Sequence, residues 1–276
     1  MISKENFAKI DCEVKIAVGE IFSHIKKVCS SDKFLLFLAN GEFDEGIANS
    51  ETGYNPNIID HFLDEYRDQT RINFLISFIK SHYSFPSGVL AVEDDEYRLN
   101  LELMIYSHIW ESKSFLKQLY RLTQLAHDKT YPWKVIVPEM SKHKFIRNEI
   151  RNSLKKTSLD IPNIISKGFH TSLRNAFAHS DYSINNDSLN INLHSDGKLE
   201  DWELSQISFD DWTKRFVYSF LLSYHVLIEK QKHRELLISE NSGKEFGIPL
   251  PTGKNNSRYV KIFYNSDHDI FRFIQK

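Results

Sequence analysis

The chain is poor in the residues that punctuate structure, with 10 glycines and 7 prolines among 276 residues, well below the roughly 7% and 5% of ordinary proteins. Turns are therefore few, and long uninterrupted helices are expected. The two cysteines, Cys12 and Cys29, have no Cys or His at metal-binding spacing. This excludes a disulfide scaffold and leaves them as small hydrophobes in a reducing compartment. Charge of either sign is nearly balanced, with 35 Lys and Arg against 37 Asp and Glu and a formal net charge of -2. No global field draws nucleic acid, so any such contact must be local. The richest apolar run, Phe34 to Ala39, falls far short of the ~18 residues that span a bilayer. No secretory segment precedes the first helical pattern, so a soluble, cytoplasmic protein with no membrane partner is expected. What is present is a 41% hydrophobic content, ample for a core and incompatible with disorder or a collagen-like chain.

Hydrophobic periodicity organises the chain. Phe7, Ile10, Val14, Val18, Ile21, Ile25 and Val28 recur at helical spacing after the N-cap candidate Ser3. Residues 40–57 are rich in Gly, Asn, Asp and Glu and read as a loop, followed by a helix over 58–83 with Phe62, Tyr66, Ile72, Leu75, Ile76 and Ile79 inward. Pro86-Ser87-Gly88 breaks the pattern. Acidic Glu93 to Glu96 then opens one long helix through Leu101, Ile105, His108, Phe115, Leu119, Leu122 and Ala126. A further helix over 141–156 uses Ile146, Ile150 and Leu154, and Asp160 with Pro162 opens another through Ile165, Phe169, Leu173 and Ala176. From Leu189 the period becomes two, and Asp196-Gly197 supplies the turn of a small β-hairpin leading to Leu199, Trp202 and Leu204. Ser208 and Asp211 cap a last long helix through Trp212, Phe216, Phe220, Tyr224 and Leu227 to about Leu236. The tail is weakly patterned, with strand character at Tyr259 to Tyr264. Three regions are expected: a helical 1–92, a helical domain over 93–236 and an extension over 237–276.

The most informative run is Leu173-Arg174-Asn175-Ala176-Phe177-Ala178-His179-Ser180-Asp181-Tyr182. Metal-independent RNA cleavage needs a base for the 2′-OH, an acid for the departing 5′-oxygen and positive charge beside the phosphorus. Imidazole titrates near neutrality, and guanidinium binds phosphate through paired donors while staying charged. Asn175 is suited either to hold the His tautomer or to contact the phosphate. Residues five apart on an α-helix differ by about 140° in azimuth. Either the helix ends near Ala178 and His179 turns back, or the site is composite.

Arg-Asn-Ala-Phe-Ala-His on such a helix, before a hairpin and another long helix, resembles the HEPN superfamily, whose ribonucleases carry an R-x(4-6)-H motif with a polar residue after the Arg. The resemblance covers about Glu93 to Leu236. It implies a mainly α fold, a HEPN-like helical bundle with a small β-hairpin insertion, and a metal-independent endoribonuclease without cofactor. Its products would carry a 2′,3′-cyclic phosphate and a 5′-OH. Because this chain has one copy of the motif, the resemblance also implies a homodimer that completes the site. The catalytic residues would be Arg174, Asn175 and His179. A toxin or abortive-infection effector acting on RNA, restrained by an antitoxin or sensor protein, is the corresponding role. Toxin members of the superfamily that pair with a nucleotidyltransferase carry His-x-Tyr, whereas Tyr182 follows His179 by three.

Further substrate contacts are assigned to His170, four residues before Arg174, to Tyr182, and to Lys144, Arg147, Arg151 and Lys155, which share an arc of about 80° on an α-helix. Gly247 to Lys254 is one residue too long for a phosphate loop and lacks Ser or Thr after the Lys. Despite twelve histidines there is no His-Glu-x-x-His or Cys-x-x-Cys pattern, so no metal is implied. The alternative function is a non-catalytic HEPN-like module that dimerises or binds a partner or a nucleotide.

Overall fold

The computed structural model describes residues 2–51, 54–60, 62–194, 203–241, 243–251 and 257–274, and for 62–69 the backbone alone. In chain order the elements are β1 (Ile2–Ser3), α1 (Lys4–Val28), α2 (Ser31–Leu38), β2 (Glu42–Phe43), α3 (Glu45–Ala48), β3 (Asn57–Ile58), α4 (Phe62–His82), β4 (Ala91–Val92), α5 (Glu96–Glu111) and α6 (Lys113–Ala126). There follow α7 (Lys142–Lys144), a π-helix (Phe145–Arg151), α8 (Asn152–Leu154), α9 (Ile161–Gly168), α10 (Thr171–His179), β5 (Tyr182–Asn185), β6 (Asn190–Leu193), β7 (Gln206–Ser208), α11 (Phe209–Glu240), β8 (Glu245–Pro251), β9 (Ser257–Asn265) and β10 (Ile270–Phe273). The fold is mainly α, as expected. No helix among the described residues is long and apolar enough to cross a membrane.

The chain packs as two compact units. The first comprises residues 1–20, 73–116 and 137–226, the second residues 21–72, 117–136 and 227–276. Four of the five divisions fall inside α1, α4, α6 and α11, and the fifth, between Ile136 and Val137, lies between α6 and α7.

In the first unit, Ser3 caps α1 as expected, its hydroxyl accepting from the Asn6 N–H at 3.1 Å. Ile10, Val14 and Val18 are buried, whereas Phe7 is only half-buried. Residues 89–92, too short to assign from sequence, supply β4, which pairs antiparallel with β1. The single helix expected from Glu93 to Ala126 is two. Ser112 adopts an extended backbone and its hydroxyl accepts from the Phe115 N–H at 3.3 Å. A serine cap thus ends α5 and begins α6 although the apolar period runs on. His108, expected inward, is exposed. The helix over 142–154 buries Ile146, Ile150 and Leu154 as expected, but its middle is a π-helix, with the Asn152 N–H bonded to the Arg147 carbonyl.

The helix expected through Ile165 and Ala176 is also two. Phe169 and His170 are extended, and His170 caps α10, its Nδ1 accepting from the Ser172 N–H at 3.2 Å. The buried Tyr106 hydroxyl accepts from the His170 N–H at 3.0 Å and donates to the Gly168 carbonyl at 3.3 Å. Arg215 from α11 donates to the carbonyls of Ser166 and Phe169. The polar groups freed by the break are thus satisfied from neighbouring helices. At Gly168 α9 lies close against α11, since a Cβ there would lie 2.9 Å from Ser219 Oγ and 3.1 Å from its backbone nitrogen.

The expected hairpin is part of an antiparallel sheet in the order β5-β6-β7. Ile191 and Leu193 are buried, whereas Leu189 is exposed with φ 51° in the turn before β6. The Asp196-Gly197 turn, with Leu199 and Trp202, lies outside the described residues. Ser208 and Asp211 do cap α11, the Ser208 hydroxyl accepting from the Asp211 N–H at 3.2 Å and donating to the Asp211 carboxylate at 3.0 Å. Trp212, Phe216 and Phe220 follow into the core, where Trp212 meets Phe177 edge-on at 4.9 Å and Tyr106 at 5.2 Å.

In the second unit, Ile21, Phe22 and Ile25 of α1 are buried, as are Phe34 to Leu38 of α2, while Val28 is exposed. Residues 40–57, read as loop, hold β2, α3 and β3, with Asp44 capping α3. Of the expected inward positions on α4, Ile72 is buried here, and Phe62 and Tyr66 lie outside the described side chains; Leu75, in the first unit, is also buried. The buried Asp60 accepts from both Arg234 amino groups, at 2.9 and 2.7 Å, and from the Phe271 N–H at 2.8 Å. The tail is more regular than its sequence pattern, forming an antiparallel sheet in the order β10-β9-β8.

At the core of the first unit sits the buried carboxyl of Glu102. It accepts from the Tyr83 hydroxyl at 2.6 Å and the Trp212 indole at 2.9 Å, and it pairs with Arg98 at 2.9 Å. Burial pushes it from an ordinary 4.5 up to about 7, against the opposing charge of Arg98. Between these values the folded chain keeps a proton that the unfolded chain has released, so stability falls as pH rises through that window, by on the order of 3 kcal/mol. Glu102→Gln is expected to flatten this part of the pH profile of urea unfolding; an unchanged slope would contradict the assignment.

Candidate active site

The motif residues lie on α10, which begins at the break fixed by Tyr106 and runs unbroken through His179. Leu173, Ala176 and Phe177 form its buried face. Ser180 ends it in the left-handed conformation, φ 59°, its N–H reaching the Ala176 and Phe177 carbonyls, and the Asp181 N–H bonds Ala176 at 2.8 Å. The His194 N–H then joins the Asp181 carbonyl at 2.8 Å, tying the helix end to β6.

Because the helix continues through His179, that residue does not turn back toward Arg174, and the two side chains leave the helix about 140° apart. Arg174 is nearly buried. Its Nε forms an ion pair with Glu111 Oε1, and its amino group donates to Asn175 Oδ1 at 2.9 Å. Asn175 therefore orients the arginine, not the histidine. His179 is exposed, and among the described residues neither it nor Asp181 makes a side-chain hydrogen bond. One chain brings Arg174 and Asn175 together and leaves His179 apart.

His170 stands at the N-cap, not on the helix face that carries Arg174. Burial, then Arg215 and Arg147, push it down to about 4, so it is neutral at physiological pH. Tyr182 opens β5, packs edge-on against Phe177 at 5.3 Å and donates to Asn100 Oδ1 at 3.4 Å. The expected basic stripe runs through the π-helix, which does not keep the α-helical phase that its arc assumed. Lys144 and Lys155 are exposed, whereas Arg147 and Arg151 are half-buried. Burial and then Arg147 push Arg151 below the usual guanidinium range.

Three neighbours of Arg174 carried no sequence motif. Glu111 binds Lys142 through Oε2 at 2.8 Å while facing Arg174 through Oε1. His143 is held below the usual imidazole range first by burial and then by the charges of Arg174, Arg147 and Lys144. The signal for Glu111 is a carboxylate at a helix C-terminus, against the dipole, but it is visible only once α5 is known to stop there. Beside the end of α10 lies a cavity of about 550 Å³ lined by Met104, Ser107, His108, Glu111, Phe177, Ser180 and Tyr182. Among the described residues no cluster of three or more His, Cys, Asp or Glu side chains is arranged to hold a metal ion.

Comparison of the chain with known protein families, with curated proteins and with solved structures finds no match in any of the three.

The two motif residues differ in what holds them, and this has a thermodynamic consequence. His179→Ala is expected to change unfolding stability by less than about 0.5 kcal/mol, as for an unpartnered surface residue. Arg174→Ala should cost about 1–3 kcal/mol by stripping Glu111 of a charged partner. Chemical denaturation of the two variants checks both, and equal costs would contradict the described environments.

Proposed function

We propose that the chain is a HEPN-like, metal-independent endoribonuclease whose active site is completed by a second copy of itself. One observation carries this reading: α10 presents an exposed, unpartnered His179 and, about 140° around the helix, an Arg174 fixed by Glu111 and Asn175. Proton transfer needs a group free to approach the 2′-OH, whereas stabilisation of developing charge benefits from one that does not move. The two residues meet these opposite demands, yet from one helix they cannot address one phosphate. This favours pairing Arg174 of one protomer with His179 of its partner across an isologous interface.

In the reaction His179 takes the 2′-OH proton, the 2′-oxygen attacks the adjacent phosphorus, and the 5′-oxygen leaves with a proton from imidazolium. Arg174 neutralises charge on the non-bridging oxygens, and Asn175 keeps its guanidinium in place. The products are a 2′,3′-cyclic phosphate and a 5′-OH. The corresponding role is a cytoplasmic toxin or abortive-infection effector restrained by an antitoxin or sensor. The Glu111–Arg174 ion pair favours a second reading, a non-catalytic HEPN-like module in which the arginine is structural.

Incubation with total cellular RNA in EDTA separates the two. The ribonuclease yields fragments ending in cyclic phosphate and 5′-OH, and His179→Ala lowers its rate by about 10²–10⁴-fold. Undiminished cutting by that variant, or no cutting by the wild type throughout the range in which imidazole titrates, would contradict the enzyme reading.

A further inference from the structure

Glu111 sits at the unfavourable end of its helix. It is the last residue of α5, where unpaired carbonyls carry the negative end of the helix dipole and a carboxylate is destabilising. Two cations hold it there, Lys142 on Oε2 at 2.8 Å and Arg174 on Oε1. Their side chains are only 10% and 11% exposed, whereas Glu111 is 30% exposed and borders the cavity beside α10. Arg147 adds positive charge from the adjoining π-helix, since it and Arg174 both act on His143. Two nearly buried cations thus share one carboxylate. A carboxylate and a phosphate present the same kind of paired oxygens to such donors.

We propose that Glu111 is an internal stand-in for phosphate: its carboxylate fills an anion subsite, formed by Arg174 and Lys142, that takes a phosphodiester when the carboxylate swings into the cavity. The identity of the ligand rests on the ribonuclease reading; the subsite itself does not. Lys142 becomes a second phosphate-binding residue. Glu111 becomes a positioning residue that keeps Arg174 fixed in the free protein and sets a threshold for binding, because an incoming strand must displace it. Greater exposure of the carboxylate than of either cation is what lets it move while they stay.

The test compares wild type, Glu111→Gln and Glu111→Gln/Lys142→Met, using inorganic phosphate and a 2′-O-methyl oligoribonucleotide, which no 2′-OH attack can cleave. In chloride buffer Glu111→Gln leaves Lys142 and Arg174 facing each other unneutralised, and its melting temperature should fall below that of the wild type. Added phosphate should restore it through preferential binding to the folded state, while the wild type responds far less and the double variant not at all. The oligonucleotide should bind Glu111→Gln about tenfold more tightly than wild type, as expected when a competing charge-assisted contact is removed. A response to phosphate without tighter oligonucleotide binding would overturn the phosphodiester assignment and leave an anion subsite. Indifference of Glu111→Gln to phosphate, or an equal response from the double variant, would overturn the subsite itself. Should Glu111→Gln fail to fold, Glu111→Asp, one methylene shorter, must exceed the wild-type phosphate response or the proposal fails. None of these outcomes depends on RNA being cut.

Discussion

The candidate site depends on the break between α9 and α10. A continuous helix from Ile161 to His179 would set a different phase for Arg174 and remove the N-cap from which α10 starts. The break costs backbone hydrogen bonds in a buried setting, where unpaired groups are expensive. The Tyr106 hydroxyl, serving both the His170 N–H and the Gly168 carbonyl, and Arg215, serving Ser166 and Phe169, offset that cost. Tyr106 is held in turn by aromatic contacts with Phe177 and Trp212, and Trp212 by the carboxyl of Glu102. The motif helix is therefore anchored at its start by a polar cap and along its buried face by an aromatic core.

Anchoring of this kind separates the two ends of the helix. Near its start and middle, Arg174 meets the carboxylate of Glu111, itself held by Lys142, and the amide of Asn175. At its end, beyond the last buried residue Phe177, His179 meets solvent. An enzyme that moves protons with one group and stabilises charge with another gains from such an asymmetry, since preorganised charge needs no rearrangement during the reaction.

Much of this was legible in the sequence because it depends on local patterns. The stripes of α1, the 142–154 stretch and α11 follow helical period, and the caps at Ser3 and Ser208 use residues that prefer those positions. The motif on α10 was visible as a run of residue types. The two helix breaks were not. At Ser112 the apolar period continues across the stop, and at His170 the cap is an imidazole nitrogen rather than the usual Ser, Thr, Asp or Asn. Missing the first break also concealed Glu111, whose position is unusual only at a helix end. The sheet of the tail was hidden for another reason. Pro249 and Pro251 argue against a strand, yet β8 is an edge strand, where proline is tolerated. The arc assigned to Lys144, Arg147, Arg151 and Lys155 assumed an α-helix, and nothing in their spacing signals the π-helix over Phe145–Arg151.

The central claim is that Arg174 of one protomer works with His179 of another, and mixing two inactive variants tests it most directly. Arg174→Ala and His179→Ala proteins would be combined under conditions that allow subunit exchange, and RNA cleavage followed. The account predicts that activity returns, because each mixed dimer regains one site with both residues intact. A mixture as inactive as its parents, although the wild type cuts RNA and mixed dimers form, would contradict it.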